Sequence, residues 1–163
     1  MNKISLLSLL SLVLFSCTTP ESLKTGEPSP SVIPGHGIKQ VISIDQNWDR
    51  QTQELYWFTG QGSKIIPYEW FLYLEKKDSE ELFRSEDNIL NYGYIPQIAS
   101  EWNKDGLPIG FAASKDNLTK EKWLGLTCSA CHTNQVNYQG TAMIIDGAPT
   151  LADVVSFNTD LAD

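Results

Sequence analysis

Two of the three cysteines and one of the two histidines of this 163-residue chain fall within LTCSACHTNQ, residues 126–135. In a helix, residues three and four apart share a face, so Cys128, Cys131 and His132 would all point the same way. That spacing suits a flat group: two thiols add to the two vinyls of a porphyrin, and the adjacent imidazole binds its iron, as in the attachment of a c-type haem. A redox-active or structural disulfide is the competing reading of CxxC, but it normally opens a helix after a strand and leaves the neighbouring histidine without a role. Zinc is weaker, because structural sites take four protein ligands and the remaining cysteine and histidine, Cys17 and His36, lie far upstream. The expectation is one haem c per chain, held through Cys128 and Cys131, with His132 as the axial iron ligand.

The chain opens MNKISLLSLLSLVLFSC, in which Lys3 precedes an apolar run too short to span a bilayer comfortably. The Leu14-Phe15-Ser16-Cys17 box at its end reads as a lipoprotein signal over residues 1–16, with Cys17 lipidated, Phe15 being a less usual residue in such a box. A plain signal peptide cut elsewhere is the alternative. Export accounts for the odd cysteine count, since one cysteine takes lipid and two take haem, and it places the chain where c-type haem is attached. The expected location is therefore lipid-anchored on the periplasmic or outer side of a membrane. Loss of Lys3 with the signal moves the formal charge from −8 to −9, which disfavours nucleic acid and anionic headgroups and is compatible with a basic redox partner protein.

Residues 17–37 read as a Pro/Ser-rich tether: four of the eight prolines lie between residues 18 and 35. His36, in PGHG, is expected in a loop at its end. The folded part is expected from residue 38. VISI (41–44) reads as an extended piece, and a helix is expected from Trp48 to Phe58, capped by Asn47 and ended by Gly60 and Gly62. Pro67 suits the first turn of a second helix with Trp70, Phe71 and Leu74 as its buried stripe and Lys76 and Lys77 at its end. Asp78 and Glu81 resemble a capping box for a further helix through Phe83, and Asn91-Tyr92-Gly93 marks another helix end. NKDGLPIG is a turn. Thr119 is expected to cap a helix through KEKWLGLTCSACH that packs Trp123 and Leu126.

Four blocks, in order, resemble a known family: YWFTGQGSKIIPYEWFLYLE (56–75), DGLPIGFA (105–112), LGLTCSACHTNQ (124–135) and IDGAPTLAD (145–153). They are similar to the amino-terminal part of the di-haem cytochromes that include bacterial rubber oxygenases, within the cytochrome c peroxidase superfamily. The likeness spans about residues 50 to 157. It implies a mainly α, cytochrome c-like, loop-rich helical haem domain over residues 38–163, with two c-type haems in the whole protein, one binding dioxygen or peroxide and the other passing electrons. This chain departs from that pattern in having one CxxCH and in ending 31 residues after His132. The expectation is that it is the front part of a longer protein, incomplete at its carboxyl end; a short chain completed by a partner subunit is the rival.

Two functions follow. One is a haem c electron carrier; the other is the haem-bearing piece of a di-haem oxygenase or peroxidase that cleaves polyisoprene or reduces peroxide, completed by a second haem domain or subunit. Iron with two strong ligands suits the first, and an open sixth position suits the second. Met143, in the strand-like TAMIID, is the methionine that remains after processing; it reads as a core side chain before a sixth ligand. A ligating histidine donates its other ring N–H to a carbonyl or carboxylate. The Pro149 carbonyl in GAPTL and the Asp146 carboxylate are the two candidates.

Overall fold

The computed structural model describes residues 26–163. The amino-terminal signal, including Lys3, Phe15 and the lipidation candidate Cys17, lies outside the described residues, as does the first part of the tether. From residue 26 onward the tether sequence belongs to the folded body. Strand β1 (Glu27–Pro28) pairs with β2 (Gln40–Ser43), Ser29, Ser31 and Val32 are buried, and Val32 bridges to Gln97.

Two sheets form the frame of the described residues. The first has the order β1-β2-β7-β6, with β7 spanning Thr141–Asp146 and β6 spanning Thr133–Tyr138. Strands β2 and β7 run parallel, and β6 and β7 form an antiparallel hairpin in register from Thr133↔Asp146 to Tyr138↔Thr141. The second sheet is antiparallel, in the order β3 (Ile66–Pro67), β5 (Lys122–Leu126), β4 (Phe111–Lys115). Among the described residues five helices accompany them: α1 (Arg50–Phe58), α2 (Tyr68–Tyr73), α3 (Glu86–Asn91), α4 (Cys128–His132) and α5 (Val154–Ala162).

The expected mainly α, cytochrome c-like fold is thus overturned. Among the described residues helix and strand content are about equal, and the helices are short. The largest departure is in residues 119–132. Asp116 accepts the backbone N–H groups of Leu118 and Thr119, closing a turn, and Lys120 adopts φ 66°. The chain then returns as β5 alongside β4, from Lys115↔Lys122 to Phe111↔Leu126. Gly125, which weakens a helix by about 1 kcal/mol, sits where a Cβ would lie 2.2 Å from the Ser63 carbonyl oxygen. Sheet pairing therefore wins over the helical reading, and only the last turn, 128–132, is helical.

Smaller corrections have similar causes. The cap of α1 is Asp49, whose carboxylate accepts the Thr52 N–H at 2.8 Å, and not Asn47, which is left-handed at φ 61°. In α2 the buried residues are Tyr68, Phe71 and Leu72, whereas Trp70 is 67% exposed. Residues 78–83 form no helix. Asp78 is left-handed at φ 59°, and the Lys76 and Phe83 N–H groups donate to Glu81 and Leu74 carbonyls, making a hairpin-like loop. The strands around 41–44 and 141–146, and the helix end before Gly93 (φ 78°), follow the sequence reading.

Two apolar clusters stabilise the body. One is aromatic, built around Phe71, Phe83, Tyr94, Phe111 and Phe157, with Phe157 edge-on to four of its neighbours. The other joins Val32, Trp57, Ile95, Ile109 and Ile144 beneath the first sheet. No helix among the described residues is long and apolar enough to cross a membrane.

Candidate functional site

Helix α4 lies at the junction of the two sheets: β5 ends at Leu126, Thr127 caps the helix, and β6 starts at Thr133, directly after His132. Its five residues divide cleanly by environment. Ser129 and Ala130 are buried, at 1% and 2% exposure, while Cys128, Cys131 and His132 are all exposed. The i, i+3, i+4 spacing therefore brings the three predicted residues to one outward-facing side, as the sequence reading required. Both thiols are free. Among the described residues no group of three His, Cys, Asp or Glu side chains is arranged to hold a metal ion. Donors that converged on a single zinc would form such a group; addition of two thiols to the edge of a porphyrin needs no such convergence.

Packing decides which side faces out. Gly110, at φ 86°, approaches α4 so closely that only hydrogen fits, and its carbonyl accepts the Thr127 N–H at 2.8 Å. The Thr127 hydroxyl caps Ser129 N–H and donates to the Trp57 carbonyl at 3.1 Å; the Ser129 hydroxyl reaches the same carbonyl at 3.2 Å. At the other end, the His132 carbonyl accepts the Gly147 N–H at 2.6 Å and the Tyr56 hydroxyl at 2.7 Å, and the Cys131 carbonyl accepts Thr150 N–H at 3.0 Å. The helix is held at its backbone, and its outward side chains are left clear.

The two proposed partners of His132 are placed differently from expectation. Asp146 is buried at 3% exposure and its carboxylate is already committed. Oδ1 accepts the Trp57 indole N–H at 2.6 Å and the Thr133 hydroxyl at 2.8 Å, and Oδ2 accepts the Gln53 amide at 2.7 Å. Pro149 is exposed in the loop after β7. Among the described residues neither of them, nor any other group, makes a hydrogen bond to the His132 ring, whereas the backbone around Pro149 does reach the helix through Gly147 and Thr150. Met143 leaves β7 on the face opposite Ala142, Ile144 and Asp146, half-buried between Ile42 and Val136 of the flanking strands. His36 is a surface residue beside Asp87, 3.5 Å away.

Two tyrosines feel this site. Burial raises the Tyr56 phenol above its usual range, with Asp146 and Cys128 adding to the effect while hydrogen bonds oppose it. Burial pushes Tyr94 up to about 12, with Cys131 and Asp153 contributing. The residues that the sequence reading missed are Tyr56, Trp57, Gly110, Thr127 and Thr133. Of these only Thr127 carried a local signal, a threonine immediately before a helix, which is a common N-cap position.

No family model matches the sequence, and no solved structure matches it. The chain is similar to an uncharacterized protein, y4iJ, of Sinorhizobium fredii (strain NBRC 101917 / NGR234), with 32% identity in an alignment of 140 residues that covers 74% of this chain. It spans 23% of the length of that relative.

Proposed function

We propose that this chain carries one covalent haem c on the outward side of α4 and works in electron transfer outside the cytoplasmic membrane. The observation that carries the reading is the grouping of two free, exposed thiols and an exposed imidazole on one side of a five-residue helix whose other side is buried. Cys128 and Cys131 would hold the haem as thioethers, the S–H of each adding across one vinyl double bond, which would need no oxidant. His132 would ligate the iron through a ring with no competing hydrogen bond among the described residues. When bound, the haem supplies a one-electron iron couple. The rest of the work belongs to the protein: Thr127, Trp57 and Gly110 hold the start of the helix, and Tyr56, Gly147 and Thr150 hold its end.

The reading includes export, a lipid on Cys17, and a protein redox partner that tolerates an acidic surface, of formal charge −9 once residues 1–16 and their Lys3 are removed. The sequence blocks that resemble the di-haem cytochromes support it for the chemistry; the fold they implied is set aside above. Mass spectrometry of exported, denatured protein tests it. The expected mass exceeds that of the processed, lipidated chain by one haem and survives acid-acetone extraction; a haem-free mass, with both thiols alkylatable, would overturn the proposal.

The length of the relative favours a second reading, in which a chain of this kind is the haem-bearing part of a longer di-haem oxygenase or peroxidase acting on polyisoprene or peroxide. The optical spectrum separates the two. Low-spin six-coordinate bands fit the carrier, and high-spin bands that change with carbon monoxide or dioxygen fit the enzyme.

A further inference from the structure

One carboxylate and one tryptophan bracket the attachment helix from beneath. The Thr133 hydroxyl, on the residue that follows His132, donates to Asp146 Oδ1 at 2.8 Å. The same oxygen accepts the Trp57 indole N–H at 2.6 Å. The Trp57 carbonyl in turn accepts the hydroxyls of Thr127 and Ser129, at 3.1 and 3.2 Å. A closed circuit therefore runs from the residue before Cys128, through Trp57 and Asp146, to the residue after His132. All five of its members are buried, none more than 5% exposed. Gln53 Nε2 donates to the second carboxylate oxygen at 2.7 Å, so both oxygens are hydrogen-bonded, and neither bonds the His132 ring.

We propose that Asp146 is a positioning residue for haem attachment, acting through Thr133 and Trp57 to fix both ends of α4, and thereby the directions of Cys128, Cys131 and His132. A five-residue helix has one turn of internal hydrogen bonds and cannot hold its own shape. Hydrogen bonds to a buried charge are the strong ones, and here two of them end on a single oxygen that links the entry and exit of the helix. This role rests on the haem reading for its purpose and on the bond circuit alone for its geometry. It differs from a carboxylate bonded to the histidine ring: Asp146 sets where the ring is carried, through the backbone, and does not touch it.

Thr133→Val removes one hydroxyl at nearly constant shape, Thr133→Ser restores it, and Asp146→Asn disturbs the whole circuit. Amide hydrogen exchange is measured on the exported full chain as isolated, whatever its haem content. In Thr133→Val, exchange in residues 127–133 and at Gly147 and Thr150 is expected to quicken about tenfold, while the β4–β5 amides stay as in the wild type. Thr133→Ser is expected to recover the wild-type pattern, and Asp146→Asn to exceed the valine variant. Where haem is attached, the ferric EPR features that follow imidazole orientation broaden in Thr133→Val and not in Thr133→Ser. Unchanged exchange in the valine variant, or equal damage in the serine variant, overturns the role. Because the exchange comparison does not need haem, a haem-free wild type would sink the proposed function and leave this bracket to be judged by exchange alone.

Discussion

Gly110 lies directly against the backbone of Ala130: a Cβ added to Gly110 would sit 2.2 Å from the Ala130 nitrogen and 2.3 Å from its Cα. The contact joins the loop before β4 to the buried side of α4, and the Gly110 carbonyl also receives the Thr127 N–H. Gly110→Ala would meet backbone, which cannot swing aside as a side chain can, and would do so at φ 86°, where an L-residue is strained. A loss of roughly 3 kcal/mol or more is expected. Urea denaturation checks it; a midpoint equal to that of the wild type would show that α4 does not need this approach.

Tyr56 donates to the His132 carbonyl at 2.7 Å, and that oxygen keeps a second donor, the Gly147 N–H. Tyr56→Phe should therefore cost only about 1 kcal/mol, since no acceptor is left unpaired. The tilted aromatic contact with Trp48, ring centroids 5.3 Å apart, is retained in the phenylalanine variant. A thermal shift of a few degrees is expected; collapse of the fold would mean that the phenol does more than this bond.

Four tyrosines have raised phenol ionisations, each chiefly through burial: Tyr56, Tyr68, Tyr92 and Tyr94, with Tyr92 and Tyr94 at about 12. An unfolded phenol titrates near pH ~10. The folded state keeps protons that the unfolded state releases, so this contribution is fully present below about pH 10 and is lost as pH rises toward 12. Denaturation at pH 8, 9.5 and 11 should show stability falling over the last interval. Tyr94 has no hydrogen bond from its hydroxyl among the described residues, and Tyr94→Phe should make the fall shallower. An unchanged slope would remove Tyr94 from the account.

Anchoring is tested at Cys17. Cys17→Ala is expected to move the protein from the membrane to the soluble fraction, by loss of the acyl chains that one cysteine would carry. Equal partition of wild type and variant would replace the lipoprotein reading with plain secretion.

What the sequence determined by itself was local and periodic. The spacing of Cys128, Cys131 and His132 determines that one helical turn turns them to the same side, whatever surrounds it, because side chains three and four apart must coincide. Alternation in TAMIID puts Ala142, Ile144 and Asp146 on one face of β7 and Met143 on the other, whichever face is then buried. Tertiary structure decided the rest. Residues 122–126 are a strand because β3 and β4 supply partners on both sides, one of them from nearly sixty residues upstream at Ile66, and no local window contains that information. Trp70, apolar and on a helix, is exposed because Tyr68, Phe71 and Leu72 take the inward positions. Asp146 holds Trp57, which lies 89 residues away in the chain, because folding stacks α1 beneath the first sheet, and a buried carboxylate takes whichever donors that packing delivers. The motif could be read from its letters; the bracket that aims it exists only once the distant donors have been brought together.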